Sequence, residues 1–297
     1  LTKLSHLELS ESQVVGTIPP SIGDLAISDL LLDRNQLVGE IPRFPRHSQL
    51  AAFRLNLESN QLASGLENLA EITTPIRLFT LNNNKFAGTI PSALLYAPGH
   101  YLTLNLDNNR LSGTIPDHEH APNELRLSNN ELVGPVPQRG KWSTLDLSLN
   151  YLNGTIPAAM AANQGLRELD LSYNRLIGNL EGWGSQPWTG TSFIYNVDFS
   201  HNLLSGQVDS LQHLRALVIN LSHNNLSGTI PTFNDTTEQV YLSYNNFTTI
   251  DTTPPRNPFQ LGNTSSLRRL DLSHNQLQGR IPVYLVSYSI SFLYLNN

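Results

Sequence analysis

Apolar and polar positions recur along this chain with a period of 20 to 30 residues, each period centred on an asparagine. That residue falls at Asn35, Asn60, Asn84, Asn109, Asn130, Asn150, Asn174, Asn202, Asn224, Asn245 and Asn275, with Ser12 in its place in the first copy. Three residues earlier stand Leu9, Leu32, Leu57, Leu81, Leu106, Leu127, Leu147, Leu171, Phe199, Leu221, Leu242 and Leu272, and an unfinished further copy ends on Leu295. Five residues earlier the series runs from Leu7 through Leu30, Leu55 and Phe79 to Ile219, Val240, Leu270 and Leu293. Two apolar residues around one variable residue predict a short strand with a single buried face. Two residues after the asparagine every copy is apolar, and four after it ten copies, from Gly16 to Gly279, carry glycine. A fixed register at this period predicts a solenoid whose units hide their apolar edges against one another.

The polar positions follow from stacking. A buried turn needs partners for its N–H and C=O groups, and a carboxamide both donates and accepts, so a column of asparagines is suited to bonding the turns of successive units. Glycine permits the tight bend, and Ile-Pro or Val-Pro six and seven residues on (Ile18-Pro19, Ile41-Pro42, Ile90-Pro91, Ile115-Pro116, Val136-Pro137, Ile156-Pro157, Ile230-Pro231, Ile281-Pro282) supplies a core side chain and extended backbone. Most units are too short for a long outer helix, which leaves extended, turn and 3₁₀ segments there. Thirteen strands about 4.8 Å apart give one parallel sheet roughly 60 Å long. Two longer units carry inserts at 180–193 and 248–266, the first with Trp183 and Trp188.

At this level the chain resembles the leucine-rich-repeat family, in its plant-type class with repeats of the form L-x-x-L-x-L-x-x-N-x-L-x-G-x-I-P. The resemblance spans essentially the whole chain. It implies an α/β repeat solenoid, a horseshoe or superhelix with the parallel sheet on its concave face and turn, extended and 3₁₀ segments on the convex side. Members include receptor-kinase ectodomains, receptor-like proteins and inhibitors of polygalacturonase. Plant members usually close their ends with paired-cysteine caps, whereas this chain has no cysteine, and no capping segment is visible.

Residues 1–297 read as a single solenoid of about 12 to 13 repeats, open at both ends. The chain begins at Leu1 and stops just before a further asparagine is due, so it is expected to be a segment of a longer solenoid, with any signal peptide or anchor outside it. A net charge of -6 provides no basic excess to neutralise phosphates, which excludes nucleic acid as a natural partner. No stretch reads as a membrane span; the apolar run from Val283 to Leu295 is short and broken by serines. Six acceptor triplets for N-linked glycan, at Asn153, Asn220, Asn225, Asn234, Asn246 and Asn263, exceed the roughly three expected by accident. With the family class, they point to a secreted or cell-surface glycoprotein, without other cofactor or metal.

Ligand specificity is expected at the variable strand positions. Asp146, Asp170, Asp198, Asn220, Tyr241 and Asp271 stand four residues before their asparagines. Carboxylates on adjacent strands repel unless a cation or basic partner joins them, which suggests an acidic strip with Glu168 beside it. The competing reading has these residues bonding nearby serines such as Ser148, Ser172 and Ser200. One residue before the asparagine, Tyr173, His201, His223, Tyr244 and His274 form an unbroken column. Their rings suit contacts with sugar or peptide, or else stack on one another to tighten neighbouring units. Trp183 and Trp188 fit a binding loop and a core plug equally well.

Catalysis is not expected. Asp117-His118-Glu119-His120 is the one local cluster of metal-ligand types; it lies in an outer turn with no evident further ligand and reads as an exposed polar turn. The leading expectation is a non-catalytic extracellular module that binds a protein, peptide or glycan on its concave face. The alternative is a glycosylated structural surface or matrix protein that self-associates through uncapped ends, with filaments as one form. A glycosidase inhibitor and an ice-binding protein are lesser alternatives, and the two inserts count against the latter.

Overall fold

The computed structural model of the chain describes residues 4–45, 50–96, 101–163, 165–183, 193–251, 266–282 and 290–296. They build a solenoid of β coils in two compact units, Leu1–Tyr151 and Leu152–Asn297. In the first unit His6–Glu8, Asp29–Leu31, Ala52–Asn56, Ile76–Thr80, Tyr101–Asn105, Glu124–Arg126 and Thr144–Asp146 pair in chain order as parallel strands. In the second, Glu168–Asp170, Ile194–Asp198, Ala216–Asn220, Gln239–Tyr241, Arg269–Asp271 and Phe292–Tyr294 do the same. The leucines flanking the strand centre are buried in the inner coils, as at Leu30, Leu55, Leu57, Leu104, Leu106, Leu169 and Leu171, and exposed at the ends, as at Leu9 and Leu293.

Short 3₁₀ helices at Pro20–Ile22, Ser92–Leu95, Ala158–Ala162 and Asp209–His213, and one α-helix at Leu66–Ala70, lie on the return side. The segments expected there as merely extended pair as well. In the first unit Val15–Thr17, Gln36–Glu40 and Gln61–Ser64 form a second parallel sheet, as do Ala87–Gly88, Arg110–Gly113 and Glu131–Gly134. In the second unit Arg175–Gly178, Leu203–Gly206, Asn225–Ile230 and Asn246–Ile250 pair in the same parallel manner. The cause is local: the x-L-x-G stretch is extended in every coil, and stacking brings its copies into register. Where glycine is missing four residues after the asparagine, at Ser64 and Thr249, the pairing slips. The register shifts fall at Gly39/Glu40 against Ser64 and at Gly228/Thr229 against Thr249. Gly65 then takes the left-handed role with φ +97°, and a Cβ there would lie 2.5 Å from the Ile41 backbone.

Each ladder asparagine joins two coils through the same four contacts. Asn130 Oδ1 accepts the Leu111 N–H at 3.0 Å, and its Nδ2 donates to Leu106 O of the preceding coil and to its own Leu127 and Ser128 carbonyls. Asn60, Asn202, Asn245 and Asn275 repeat this pattern. The preceding residue is left-handed in every coil, with φ between 52° and 57° at Arg34, Ser59, Asn83, Asn108, Asn129, Leu149, Tyr173, His201, His223, Tyr244 and His274. Arg34, Ser59, Leu149, Tyr173 and Tyr244 are not residue types that favour that region. The conformation is held by the coil that follows, because Asn108 N–H donates to Ser128 O at 2.8 Å and His201 N–H to Ser222 O at 3.0 Å.

Arg77 stands in a core column, in register between Phe53 and Leu102, and is only 2% exposed. It donates to the carbonyls of Ile72 and Tyr96, and burial lowers its pKa. The ladder allows a direct test. Asn130→Ala leaves the buried Leu111 N–H and the carbonyls around it short of a partner, with an expected loss of about 2–4 kcal/mol. Asn108→Ala, at an exposed neighbouring turn, is expected to cost far less; urea midpoints of the two variants decide.

Candidate functional site on the strand-lined face

The strand positions turned away from the core differ from coil to coil. In the second unit one column runs Glu168, Asn196, Val218, Gln239, Arg269 and Phe292, and its neighbour runs Asp170, Asp198, Asn220, Tyr241, Asp271 and Tyr294. One oxygen of each carboxylate binds the turn that follows its strand. Asp198 Oδ1 accepts the Ser200 N–H and Oγ–H at 2.9 and 2.6 Å, Asp271 does the same for Ser273, and Asp170 accepts the Ser172 N–H at 2.9 Å. In the first unit Asp146 receives Ser148 in the same manner, and Arg126 Nη1 lies 3.9 Å from it. These are Asx turns that satisfy the N–H of the second residue past the strand, the first being bonded to the following coil. The second oxygen reaches across the face at Asp198, where Oδ2 accepts Asn220 Nδ2 at 2.8 Å.

At the other end of this face, the Arg269 guanidinium lies over the rings of Tyr241, Phe292 and Tyr294, 5.5, 5.4 and 5.3 Å from their centroids. Its Nη2 donates to Tyr294 Oη at 3.3 Å, whereas its Nε is buried without a partner. Tyr241 Oη donates to Gln239. Sequence reasoning singled out Tyr241 and Asp271 but missed Arg269, Phe292 and Tyr294, because their approach depends on the register of three strands. The second unit therefore has an acidic stretch at Glu168, Asp170 and Asp198 and a cation-aromatic stretch around Arg269.

Tyr173, His201, His223, Tyr244 and His274 stack face to face along the turn beside this sheet. Successive centroids are 4.0, 4.0, 4.1 and 4.1 Å apart, and the interplanar angles lie between 11° and 17°. Desolvation and then the charge of His223 lower the pKa of His201, against a smaller raising effect of Asp198; desolvation and then His274 lower that of His223. Of the two alternatives for this column, the geometry is that of mutual stacking. Trp183 is fully buried edge-on to Phe199 at 5.0 Å and fills the core; Trp188 and Asn263 lie outside the described residues.

In the Asp117-His118-Glu119-His120 turn, Asp117 and the two imidazoles have local partners. Asp117 Oδ1 accepts the N–H groups of Gln138 and Arg139, and both imidazoles pack near the Tyr96 ring. Among the described residues no three His, Cys, Asp or Glu gather to hold a metal, and no helix is long and apolar enough to cross a membrane. Of the glycan acceptors, Asn153 is exposed on the outer sheet, and Asn234 turns its Oδ1 to Thr236, the hydroxyl residue of its own triplet, at 3.0 Å. Asn246 donates to Asn225 and accepts from Gln276. Among the described acceptors, Asn220 alone has its side-chain nitrogen tied across the strand-lined face, to Asp198.

Sequence reasoning also missed Asp107 in the first unit, which occupies a position held by serine at Ser128 and Ser148. Desolvation and then the nearby Asp146 push its pKa up to about 6, against the Ser128 N–H bond and Arg126. The folded state therefore holds the proton more tightly than the unfolded chain. The stability this contributes is complete below the ordinary value of 3.8 and is lost as pH rises through about 6. Asp107→Ser is expected to abolish that loss. Relative to the parent, its unfolding free energy should gain on the order of 1–2 kcal/mol between pH 4 and pH 7.5, measured by urea unfolding at both.

The repeats are leucine-rich repeats: the Leucine Rich Repeat family model matches residues 102–118, 165–186, 217–234 and 266–287. The chain is similar to Receptor-like protein 35 of Arabidopsis thaliana, 31% identical over 229 residues, which covers 70% of this chain and 23% of that protein. Among solved structures it resembles PEPR1-AtPEP1, at 25% identity and a TM-score of 0.71 over 99% of this chain and 45% of that one. It also resembles the Arabidopsis receptor kinase HAESA in complex with the peptide hormone IDA and the co-receptor SERK1. There the identity is 28% and the TM-score 0.59, over 99% of this chain and 62% of that one. The chain thus spans about a quarter of the curated relative, and 45% and 62% of the two structural ones.

Proposed function

We propose that this leucine-rich-repeat chain is a non-catalytic, extracellular recognition module that binds an extended peptide, or an extended segment of a protein, across the strand-lined face of its second unit. The observation that carries this reading is the contrast between constant and variable positions. Core leucines, ladder asparagines and turn glycines repeat coil after coil, whereas the face changes from Glu168, Asp170 and Asp198 at one end to Arg269, Tyr241, Phe292 and Tyr294 at the other. Scaffold needs alone do not call for such variation; a ligand with different chemistry at its two ends does. Four strand spacings separate Asp170 from Asp271, about 19 Å. That distance is the reach of about six extended residues. HAESA, which resembles this chain over nearly all of its length, was solved with a peptide hormone bound, and this supports a peptide as the ligand class. The same surroundings favour secretion, with N-linked glycan at Asn153 and Asn234.

Binding is tested by titrating the purified chain into labelled synthetic peptides of six to twelve residues that carry a basic group near one end and an acidic group near the other. Asp198→Asn keeps an oxygen for the Ser200 turn, as Asn220 does for Ser222. With Arg269→Gln, it is expected to weaken binding about tenfold, the scale of one charged contact. Val133→Ser, on the outer sheet of the first unit, is expected to leave it unchanged. Peptides that bind with no sensitivity to either face substitution would sink the proposal. Glycopeptide mass spectrometry of secreted protein is expected to find Asn153 and Asn234 occupied and Asn220 bare; glycan at Asn220 would close the face.

A further inference from the structure

The column Tyr173, His201, His223, Tyr244 and His274 places two titratable rings face to face. His201 and His223 have centroids 4.0 Å apart at 13°, with Tyr173 stacked on the far side of His201 and Tyr244 on the far side of His223. One proton on this pair is accommodated, because an imidazolium gains from the faces of neutral rings on either side. A second puts two like charges in van der Waals contact, where they repel even at the effective dielectric of a protein surface.

We infer that this ring column is an acid-sensitive clasp between neighbouring coils, closed while at most one of His201 and His223 carries a proton and loosened when both do. The groups around the pair do not cancel the repulsion. Asp198 is the carboxylate acting on His201, while His274, beyond Tyr244, opposes a charge on His223. The strand-side neighbours Ser200, Ser222, Ser243 and Ser273 are neutral, and the column on the other side holds Arg175, Leu203, Asn225, Asn246 and Gln276. Arg175 adds positive charge at one end of the stack.

The pKa values of both histidines are lowered, so the unfolded chain binds protons more readily than the folded one. The stability contributed by the neutral pair is therefore complete above the ordinary histidine value of 6.5 and is lost as pH falls through the lower folded values. The clasp sits where loosening has a consequence. His201 and His223 occupy the left-handed turn positions, and their N–H groups donate to Ser222 O and Ser243 O of the following coils. Asp198 and Asn220 of the strand-lined face lie on the same coils, a few residues away.

Hydrogen exchange on the full chain, at pH 7.5 and pH 5.0 and corrected for intrinsic rates, tests this. Protection in segments 199–204 and 221–226 is expected to fall roughly five- to tenfold at pH 5.0, while segment 55–60 of the first unit, away from both the histidines and Asp107, changes little. His201→Asn and His223→Asn are each expected to cut the fall by at least half, since one histidine alone has no charge stacked against it, while desolvation, and for His223 the more distant His274, still act. Asparagine is compatible with the backbone there, because Asn83, Asn108 and Asn129 hold the same left-handed position. Unchanged protection in the parent at pH 5.0 overturns the inference, as does a fall in both asparagine variants as large as the parent's.

Discussion

The structure depends on one repeated contact, the asparagine carboxamide that bonds two coils at once. A coil of 20 to 30 residues cannot bury its turn alone, since the N–H two residues after one asparagine and the carbonyl three residues before it point along the stacking axis. The asparagine of the following coil reaches back to satisfy both. Stability at each turn thus belongs to a pair of coils, as nearest-neighbour coupling in a repeat protein requires. The left-handed residue before each asparagine is held by the same coupling, and so arginine, tyrosine and histidine are found where glycine or asparagine would be expected.

That coupling releases other positions for recognition. Once the ladder and the leucines hold the backbone, strand residues turned away from the core have only local duties. Asp146, Asp170, Asp198 and Asp271 show how little the local duty takes: one oxygen accepts from a serine two residues on, and at Asp198 the other reaches across the face to Asn220. The column is therefore both repeat chemistry and acidic surface, because a carboxylate has two oxygens. Arg269 is the converse, a side chain whose faces are taken by aromatic rings while its guanidinium edge borders the same surface.

The two titrating features arise from departures within otherwise uniform columns. Asp107 stands where later coils have serine, so its charge is buried beside Asp146 with little to offset it. His201 and His223 stand where earlier coils have arginine, serine, asparagine, leucine or tyrosine, and stacking brings the two imidazoles face to face. The two respond to acid in opposite senses. A buried carboxyl keeps its proton, whereas stacked imidazoles shed theirs.

The sequence by itself determined the coil: which residues are strand, which face is buried, where the turn asparagine sits, and which side chains share a column. These follow from positions that repeat, and repetition is visible without coordinates. Tertiary structure decided what depends on the distance between columns. The second sheet, the slips at Ser64 and Thr249, the closing of the rings to 4.0 Å and the burial of Arg77 and Trp183 all require the pitch at which coils stack. The gathering of three rings around Arg269 requires in addition the register of strands separated in sequence by loops of unequal length. A periodic sequence fixes what each coil offers its neighbour. Only the stacked backbone, with its hydrogen bonds made, fixes how closely the offers meet.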